Sequence, residues 1–405
     1  MTDFPHQLET LLRGVEQVIP EDEFRRRLEQ SIREGRPLRV KYGIDPTGID
    51  VHLGHTVPLR KLRQFQEFGH KAVVIIGNYT ALVGDPSGRD ETRAALSQEQ
   101  VEANARDYLR QVGRVIDLDR AEVHYNGEWF SKWSFLDVLE LLRHTTLGKI
   151  SAREDFAKRI AAEKPVYLHE CIYPLMQGWD SVEVRADVEL GGSEQLFSLL
   201  MARDLQQMHG QPPQIAMTLP ILVGTDGVRR MGKSLGNYIG IGESPENLFG
   251  KIMSIPDSPM RQYFTLLTEL PTAEIDRLLG PGVNPRDAKE ALGKAVVAFY
   301  HGPESAERAA LEFRRLAAGE DPEVIAEVPL SADRLDAEGR MPAPQLIKEL
   351  GLETSTSNAR RVIEGGGFSV GPRRETITDP KALVYVSDGL IVRVGKRKIA
   401  RVRLV

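Results

Sequence analysis

The sequence has 405 residues, of which 41% are hydrophobic and 27% are charged, so it is long enough for two or three folded domains with apolar cores. No apolar stretch reaches the length that spans a membrane, and the N-terminus lacks a basic and then apolar secretory signal. The single cysteine, Cys171, excludes an internal disulfide framework and a cysteine zinc site, so we expect a cytoplasmic protein without a membrane partner.

Charge is distributed unevenly along the chain. Residues 341–405 contain twelve lysines and arginines and six acids, a formal charge of +6 in a chain whose net charge is −5. Residues 1–340 therefore carry a formal charge of −11. A basic module on an acidic body favours a polyanion partner, because cationic side chains replace condensed counterions on a phosphate backbone. A solvated tail that balances the acidic body explains the composition equally well.

The first predicted elements are a strand, a helix and a second strand. Residues 38–44 and 72–76 are short apolar runs typical of buried parallel strands, and residues 57–68 carry apolar side chains at helical spacing. Together they make a parallel α/β unit, in which ligands bind beyond the carboxyl ends of the strands. Residues 45–55 and 80–85 are predicted to meet there.

The segment that follows, from about residue 86 to 170, has a mostly helical pattern. It contains a cluster of Trp129, Trp133 and Phe135. Such a cluster is typical of a core, although it could also form a contact between two subunits.

The remainder of the chain returns to the sheet and then adds two further modules. Strands are predicted at 182–190 and 215–223, and residues 244–319 have helical periodicity. Residues 321–340 are acidic and contain proline, which is typical of a linker. Residues 341–405 combine two short helical patterns with alternating β runs.

Residues 227–234 match the phosphate-loop pattern, in which two glycines are followed by lysine and serine, and they come after a hydrophobic strand. A phosphate loop opens a helix whose N-terminal amides hold the anion. Here residues 235–242 contain three glycines and no helical stripe. The pattern therefore favours a mobile loop that closes over a triphosphate, with a cation from Lys233 and a hydroxyl donor from Ser234.

His52 and His55 stand three residues apart at the predicted start of a helix. A zinc pair is one interpretation, but the sequence offers no obvious third ligand. Gly54 between them suits a flat group, such as an adenine ring, that lies against the backbone. The two imidazoles can donate hydrogen bonds to phosphate or ribose oxygens beside the positive helix N-terminus. After Asp45-Pro46-Thr47 this pattern indicates a nucleotide site.

Several segments together resemble the class I aminoacyl-tRNA synthetases, and among them the bacterial tyrosyl-tRNA synthetases. Residues 42–55 resemble the HIGH signature of that class, and residues 230–234 resemble its KMSKS loop. Further similar segments are residues 80–88, 173–180 and 191–195. The resemblance covers about residues 35–260 and resumes at 341–405, which is similar to the family's αL-type RNA-binding domain.

The resemblance implies an α/β fold with a Rossmann-like parallel-sheet catalytic domain, followed by an all-helical domain and a small α+β RNA-binding domain. The expected ranges are 1–228 for the catalytic domain with a helical insertion at about 86–170, 229–320 for the mobile loop and helical anticodon-side domain, 321–340 for a linker and 341–405 for the RNA-binding domain. The insertion is expected to pair two subunits as a homodimer.

The resemblance also implies the residues of the site. The expected catalytic residues are Thr47, His52, His55, Arg89, Arg93, Arg230, Lys233 and Ser234. The expected ATP-binding residues are Asp45, Gly54, Gly192, Glu194, Met231 and Lys233. The expected tyrosine-binding residues are Lys41, Gly43, Thr80, Asp85, Tyr173, Gln177, Asp180 and Gln195. The expected tRNA-binding residues are Arg360, Arg361, Lys396, Arg397 and Lys398.

Four of these positions and neighbours depart from the family's common pattern. Arg230 replaces the first lysine of the loop motif, and Gly232 replaces a serine. Glu194 stands where an aspartate usually contacts the ribose. Lys41 stands where one branch of the family has a tyrosine near the substrate hydroxyl, and it fits a second bacterial branch.

The implied reaction joins L-tyrosine to tRNA(Tyr) through a tyrosyl-adenylate made from ATP, with Mg²⁺ bound to ATP and no metal ligated by the protein itself. Asp180 is expected to accept a hydrogen bond from the tyrosine hydroxyl, and Asp85, Tyr173 and Gln177 are expected to hold the α-ammonium. A tryptophanyl-tRNA synthetase shares the catalytic architecture but does not normally carry the basic C-terminal module. A non-catalytic RNA-binding relative is the other alternative, which the intact histidine pair and loop lysine disfavour.

Overall fold

The computed structural model describes residues 3–47, 51–87, 97–323, 325–395 and 398–405. It divides into two compact units, Met1–Ala306 and Glu307–Val405. Within the described part of the chain, no helix combines the length and apolar character that crossing a bilayer requires.

The described helices are α1 (Phe4–Leu12), α2 (Glu21–Glu34), α3 (Leu53–Glu67), α4 (Thr80–Val83), α5 (Gln98–Val112), α6 (Gly127–Phe130), α7 (Phe135–Leu142), α8 (Leu147–Ser151), α9 (Glu154–Ala161), α10 (Leu168–Val184), α11 (Leu196–Met208), α12 (Pro245–Met253), α13 (Met260–Leu267), α14 (Thr272–Leu278), α15 (Pro285–His301), α16 (Pro303–Ala317), α17 (Ala343–Glu349) and α18 (Thr356–Glu364). The described strands are β1 (Gln17–Ile19), β2 (Arg39–Ile44), β3 (Lys71–Ile76), β4 (Glu122–Tyr125), β5 (Val188–Gly192), β6 (Ile215–Leu219), β7 (Glu327–Leu330), β8 (Arg340–Pro342), β9 (Phe368–Val370), β10 (Glu375–Thr376), β11 (Leu383–Tyr385), β12 (Ile391–Val394) and β13 (Lys398–Leu404). Single 3₁₀ turns lie at Ser193–Gln195, Lys233–Leu235 and Ala332–Arg334.

The first unit is built on a six-stranded sheet with the order β1-β6-β5-β2-β3-β4. Strands β2 to β6 run parallel, and β1 pairs antiparallel with β6. In the central register, Lys41 of β2 lies opposite Val73 of β3 and Glu189 of β5. Helices cover both faces, so that Val40 and Val74 are completely buried.

The carboxyl ends of the parallel strands meet at one edge of this sheet. Asp45, Gly77 and Asn126 directly follow β2, β3 and β4, while Ser193 follows β5 and Pro220 follows β6. Strands β3 and β4 lie on one side of β2, and β5 and β6 lie on the other. The order of the sheet therefore reverses beside β2, and ligands of open α/β sheets bind at such a point.

The predicted strand-helix-strand unit is confirmed as β2, α3 and β3. The strand predicted at 182–190 is wrong in its first half, because Val182 and Val184 form the last turn of α10. Their alternation with polar residues is typical of a strand, but both pack into apolar clusters as part of the helix. Arg185, with a φ of 50°, ends the helix, and β5 begins three residues later.

Two further boundaries differ from the prediction. The strand predicted at 215–223 ends at Leu219, since Pro220 has no N–H to donate to the sheet. The mostly helical segment 86–170 also contains β4, which pairs parallel with β3. Its four residues are too few for a strand period to be recognised in the sequence.

The predicted aromatic cluster divides between the interior and the surface. Trp129 and Trp133 both pack against Phe130, with Trp133 also in edge contact with Trp179. In contrast, the side chain of Phe135 is 74% exposed at the start of α7. The interpretation as a core is therefore correct for the tryptophans and wrong for Phe135.

The second unit contains a five-stranded sheet, β10-β9-β12-β13-β7, together with the strand pair β11-β8 and the helices α17 and α18. These elements share one apolar core that includes Met341, Leu346 and Phe368. The segment 321–340, predicted as a linker, is part of this unit, because β7 pairs parallel with β13 and Asp321 forms ion pairs with two arginines of the sheet region. The observed folds agree with the expected class, a parallel-sheet α/β unit followed by a helical region and a smaller α+β unit.

Candidate active site

A cleft of ≈ 650 Å³ lies at the carboxyl edge of the parallel sheet. Residues from the N-terminal motif and from the loop at 230–235 line it together. The predicted site residues that line the cleft are Gly43, Asp45, Thr47, His52, Gly54, His55, Thr80, Asp85, Tyr173, Gln177, Asp180, Gly192, Glu194, Gln195, Arg230, Met231, Lys233 and Ser234. The fold thus gathers segments that lie far apart in the sequence around one space.

Two backbone hydrogen bonds join the segments that carry the two motifs. The N–H of Leu53 donates to the carbonyl of Ile239 at 2.9 Å, and the N–H of Ile241 donates to the carbonyl of Val51 at 3.0 Å. Between them His52 and Gly240 form an isolated antiparallel bridge. We call this set of contacts the motif bridge; it fixes the start of α3 beside the segment that follows the loop.

The two histidine rings stack on each other at the start of α3, with centroids 3.7 Å apart and planes 18° apart. A Cβ at Gly54 would lie 3.1 Å from the ring of His52 and 3.6 Å from the Cβ of Met231. Burial is the main reason that the pKa of His52 is lowered to about 3 and that of His55 to about 4. The positive charge of Lys233 contributes to both shifts, and the neighbouring His55 contributes to that of His52. Both rings are therefore neutral at physiological pH and present N–H donors without adding charge.

Asn237 organises the loop that carries the second motif. Its Nδ2 donates to Asp226 Oδ2 at 2.9 Å and to the carbonyl of Arg230 at 3.1 Å, while its Oδ1 accepts from the N–H of Gly232 at 2.9 Å. The side chain sits against Gly224, where any Cβ would lie 2.2 Å from its amide nitrogen. A glycine at 224 and an asparagine at 237 are thus required by the same close contact.

As predicted from the sequence, the loop does not form a phosphate loop. After Gly232 the chain makes one 3₁₀ turn at Lys233–Leu235 and then leaves it at Gly236, whose φ is 65°. No α-helix begins there, so the N-terminal amides that a phosphate loop depends on are not supplied by this segment.

Asp180 lines the cleft and is 3% exposed. Its Oδ1 accepts from the indole N–H of Trp129 at 3.0 Å, and its Oδ2 accepts from Asn126 Nδ2 at 3.4 Å. Burial raises the pKa of Asp180 to about 7, and these two donors together with the charge of Lys41 oppose that rise. The carboxylate is therefore held in place but incompletely compensated, as expected for a group that receives a donor from a ligand.

Asn126 and Trp129 were not among the predicted site residues. Asn126 directly follows β4, the strand that the sequence pattern did not reveal, and it also donates to Thr80 Oγ1 at 3.1 Å. The sequence signal that could have found it is the same as for Asp45, a polar residue at the carboxyl end of a parallel strand.

Asp45 is anchored in the cleft by two hydroxyl donors. Thr80 Oγ1 donates to its Oδ1 at 2.7 Å, and Tyr173 donates to its Oδ2 at 2.9 Å. Gly77 makes this possible, because a Cβ there would lie 2.0 Å from Asp45 Oδ1. Thr80 and Tyr173 thus line the cleft, but their hydroxyls hold Asp45.

Asp85 also lines the cleft and is held by two donors. Its Oδ2 accepts from Gln195 Nε2 at 2.9 Å, and its Oδ1 accepts from the N–H of Ser87 at 2.9 Å. The hydroxyl of Ser87 in turn accepts from the buried Arg153 at 2.5 Å, a residue outside the predicted site residues. Both carboxylate oxygens are oriented before any ligand is present.

Lys41 does not line the cleft, in contrast to its predicted role as a tyrosine-binding residue. Its side chain is completely buried between the sheet and α10 and forms an ion pair with Glu189 at 2.9 Å. The strand period places it there: Lys41 and Gly43 alternate with Tyr42, so a lysine at 41 reaches the space between the sheet and α10.

Glu194 and Gly232 are two other departures from the family pattern, and the structure describes the surroundings of both. Glu194 lines the cleft, and burial raises the pKa of its carboxyl group. A Cβ at Gly232 would meet only the side chain of Leu235, at 3.8 Å, so a serine would fit there. Nothing in the packing explains why glycine occupies that position.

The remaining predicted site residues are either outside the described part of the chain or in the second unit. Arg89, Arg93, Lys396 and Arg397 lie outside the described residues. Arg360 and Arg361 are exposed on α18, and Lys398 forms an ion pair with Glu353 at 2.6 Å. Among the residues described, no group of three or more histidine, cysteine or acidic side chains is arranged to hold a metal ion.

Comparisons with known proteins agree with one another. A family model described as class I tRNA synthetases (W and Y) matches residues 33–318. A tyrosine–tRNA ligase of Symbiobacterium thermophilum is 49% identical over 403 residues, which cover 98% of this chain and 97% of that protein. A tyrosine–tRNA ligase of Moorella thermoacetica is 46% identical over 400 residues, covering 98% and 95%. The crystal structure of a tyrosyl-tRNA synthetase from Archaeoglobus fulgidus, complexed with L-tyrosine, matches with a TM-score of 0.61 and 26% identity over 76% of this chain and 100% of that one.

Proposed function

Because this chain belongs to the class I tRNA synthetases and, within them, to the tyrosine–tRNA ligases, we propose that it activates L-tyrosine with ATP and transfers it to tRNA(Tyr). The single observation that carries the assignment of the site is the motif bridge, since it holds the histidine pair and the loop lysine at one cleft. The reaction takes place in the cytoplasm, where charged tRNA is consumed.

In the first step a carboxylate oxygen of tyrosine attacks the α-phosphorus of ATP. The bond to the bridging oxygen of the β-phosphate breaks, and pyrophosphate leaves with the Mg²⁺ that arrived on ATP. The neutral rings of His52 and His55 donate hydrogen bonds, and Lys233 supplies positive charge to the phosphates as charge develops on them. Thr47, Arg230 and Ser234 assist at the same phosphates, and the roles proposed for Arg89 and Arg93 are to stabilise the charge on the pyrophosphate.

Specificity for tyrosine comes from Asp180. The phenol donates to the buried carboxylate and offsets its desolvation, whereas the ring of phenylalanine adds no donor to the two that Trp129 and Asn126 supply. The α-ammonium binds among Asp85, Gln177 and Gln195, which line the same cleft. Gly54 receives the adenine ring, because a side chain there would occupy the space between His52 and Met231.

In the second step the 2′- or 3′-hydroxyl of the terminal ribose of tRNA attacks the carbonyl carbon of the adenylate, and AMP leaves. The C-terminal unit binds the tRNA backbone through its basic side chains, which are Arg360, Arg361, Lys396, Arg397 and Lys398. The exposure of the two arginines on α18 supports this role, because neither is buried in the core of the unit.

The function is tested by pyrophosphate exchange into ATP with tyrosine, tryptophan or phenylalanine as the only amino acid. We expect exchange with tyrosine alone, because the carboxylate of Asp180 needs a phenol donor. The Lys233→Ala variant should exchange about 100-fold more slowly while it still binds tyrosine, since its charge acts on the phosphates. Exchange with tryptophan would contradict the specificity, and a chain that supports no exchange would be a non-catalytic RNA-binding relative.

The proposed tRNA surface is tested by the double reversal Arg360→Glu/Arg361→Glu. Charging of tRNA should fall by about tenfold, and the slope of its dependence on salt should decrease by about two, since two phosphate contacts are lost. Pyrophosphate exchange, which needs no tRNA, should be unchanged. The matched control is Arg25→Glu/Arg26→Glu on the exposed face of α2, which makes the same change in charge. An equal loss in both steps, or an equal loss in the control, refutes the assignment.

The proposed homodimer forms through the apolar face of α7. Phe135 and Leu136 are each 74% exposed there, and Leu168 at the start of α10 is 78% exposed. Burying such side chains between two copies is favourable by about 1.5–3 kcal/mol each. The face lies in the segment expected to pair subunits.

Changing Leu136→Asp should convert the dimer to a monomer, because a charge would be buried in the contact. Light scattering after gel filtration measures the mass. Leu311→Asp is the control, since Leu311 is 54% exposed on α16 and belongs to the second unit. A monomeric parent protein, or a variant that stays dimeric, would show that α7 does not form the interface.

A further inference from the structure

A buried ion pair lies next to the residues of the cleft that are proposed to bind tyrosine. Lys41 and Glu189 occupy opposite positions on the neighbouring parallel strands β2 and β5. Their side chains are 0% and 1% exposed, and the ammonium lies 2.9 Å from the carboxylate. Neither residue lines the cleft, so neither contacts a ligand there.

All three hydrogens of the Lys41 ammonium have acceptors. One bonds to Glu189, one goes to the carbonyl oxygen of Gln177 at 2.7 Å, and one goes to Ser181 Oγ at 2.8 Å. Gln177 and Ser181 lie on α10 on either side of Asp180. The ion pair therefore attaches the helical turn that carries Asp180 to the sheet.

Glu189 also determines how the side-chain amide of Gln177 is turned. Its Oε1 accepts from Gln177 Nε2 at 3.2 Å, and its Oε2 accepts from Ser181 and from Gln214 Nε2. The amide oxygen of Gln177 is buried and has no hydrogen-bond partner among the described residues. One hydrogen of its NH₂ group bonds to a carboxylate, and this bond sets which side of the amide carries the unpartnered oxygen, an acceptor for a further partner.

We propose that Glu189, held in place by Lys41, is a positioning residue that orients the amide oxygen of Gln177 toward the α-ammonium of the substrate. The inference rests on the proposed function, because the ammonium is that of the tyrosine in the same cleft. An ammonium is a donor without acceptor capacity, so only the oxygen side of the amide can bind it. A flipped amide would turn two N–H donors toward a cation.

The ion pair is better explained by this role than by stability. Buried pairs frequently contribute no more to folding than apolar side chains of the same volume, because both charges must be desolvated. The carboxylate of Glu189, in contrast, offers oxygens to three amide and hydroxyl donors at once, which no apolar side chain does.

The test compares two double variants from which both buried charges are removed. In Lys41→Met/Glu189→Gln, position 189 keeps an oxygen that accepts from Gln177, whereas in Lys41→Met/Glu189→Met it does not. Calorimetry measures the affinity of each full-length protein for tyrosine and for 3-(4-hydroxyphenyl)propionate, which lacks the α-ammonium. The matched control is Arg159→Met/Glu170→Met. That ion pair is also buried, with each side chain 2% exposed, and it joins the first turn of α10 to α9.

We expect Lys41→Met/Glu189→Met to bind tyrosine about tenfold more weakly than the parent protein, as for the loss of a hydrogen bond to a charged group. Its affinity for the propionate should be unchanged. Lys41→Met/Glu189→Gln should bind both ligands as the parent does, and the control should not alter the difference between the two ligands. An equal loss for both ligands, or no loss for tyrosine, overturns the proposal.

Failure of the proposal is distinguishable from failure of the function. A parent protein that does not bind tyrosine refutes the function, whereas a parent that binds it and a Met/Met variant that binds it equally well refute only the inference. If the Met/Met variant does not fold, a crystal structure of the parent protein with tyrosine decides. The Gln177 amide must then bridge Glu189 and the ammonium, and an amide that contacts only one of them overturns the proposal.

Discussion

The candidate site depends first on the motif bridge, the two backbone hydrogen bonds that join Val51 and Leu53 to Ile241 and Ile239. Backbone bonds of this kind do not depend on side-chain rotamers, so they fix the entry of α3 against the chain beyond the loop. The stacked imidazoles and the loop lysine therefore face one space. Burial beside Lys233 keeps both imidazoles neutral, so Lys233 and Arg230 are the positive charges among the described residues that line the cleft.

Three aspartates that line the cleft are each positioned by hydrogen-bond donors of the protein before a ligand enters. Asp45 is held by two hydroxyls, Asp85 by an amide and a backbone N–H, and Asp180 by an indole and an amide. Such preorganisation avoids the rearrangement that a flexible polar site would need during reaction. It has a cost at Asp180, whose pKa is raised from an ordinary 3.8 to about 7 by burial. Protonation of Asp180 therefore stabilises the folded protein. This contribution to the free energy of unfolding is lost as the pH rises through about 7, because the unfolded chain holds the carboxylate in water.

The sequence was informative where the physical signal is local. The first strand, the helix after it and the second strand have clear periods, and the glycines and polar residues at the strand ends mark the cleft. The segment around Val182 was misassigned, because its alternation fits a strand and only packing against two apolar clusters keeps it helical. Strand β4 was missed because it is short, and with it Asn126 and Trp129, which hold Asp180.

Other errors came from interactions between residues that are distant in the sequence. Residues 321–340 are acidic and aperiodic, yet β7 is ordered by pairing with β13, which lies more than 60 residues later. Lys41 was assigned to the cleft because of its place in the first motif, but the acceptor that draws it to the other side is Glu189 on a different strand. A sequence pattern identifies such residues but not the partner that decides which way each side chain points.

The central claim, that the histidine pair and the loop surround one nucleotide, is tested most directly by a crystal structure with a non-hydrolysable mimic of tyrosyl-adenylate. The adenine should lie against Gly54, the group that replaces the phosphate should lie within hydrogen-bonding distance of the histidine pair or Lys233, and the phenol should contact Asp180. A mimic bound at a position where it touches neither α3 nor the loop at 230–235 would contradict the account.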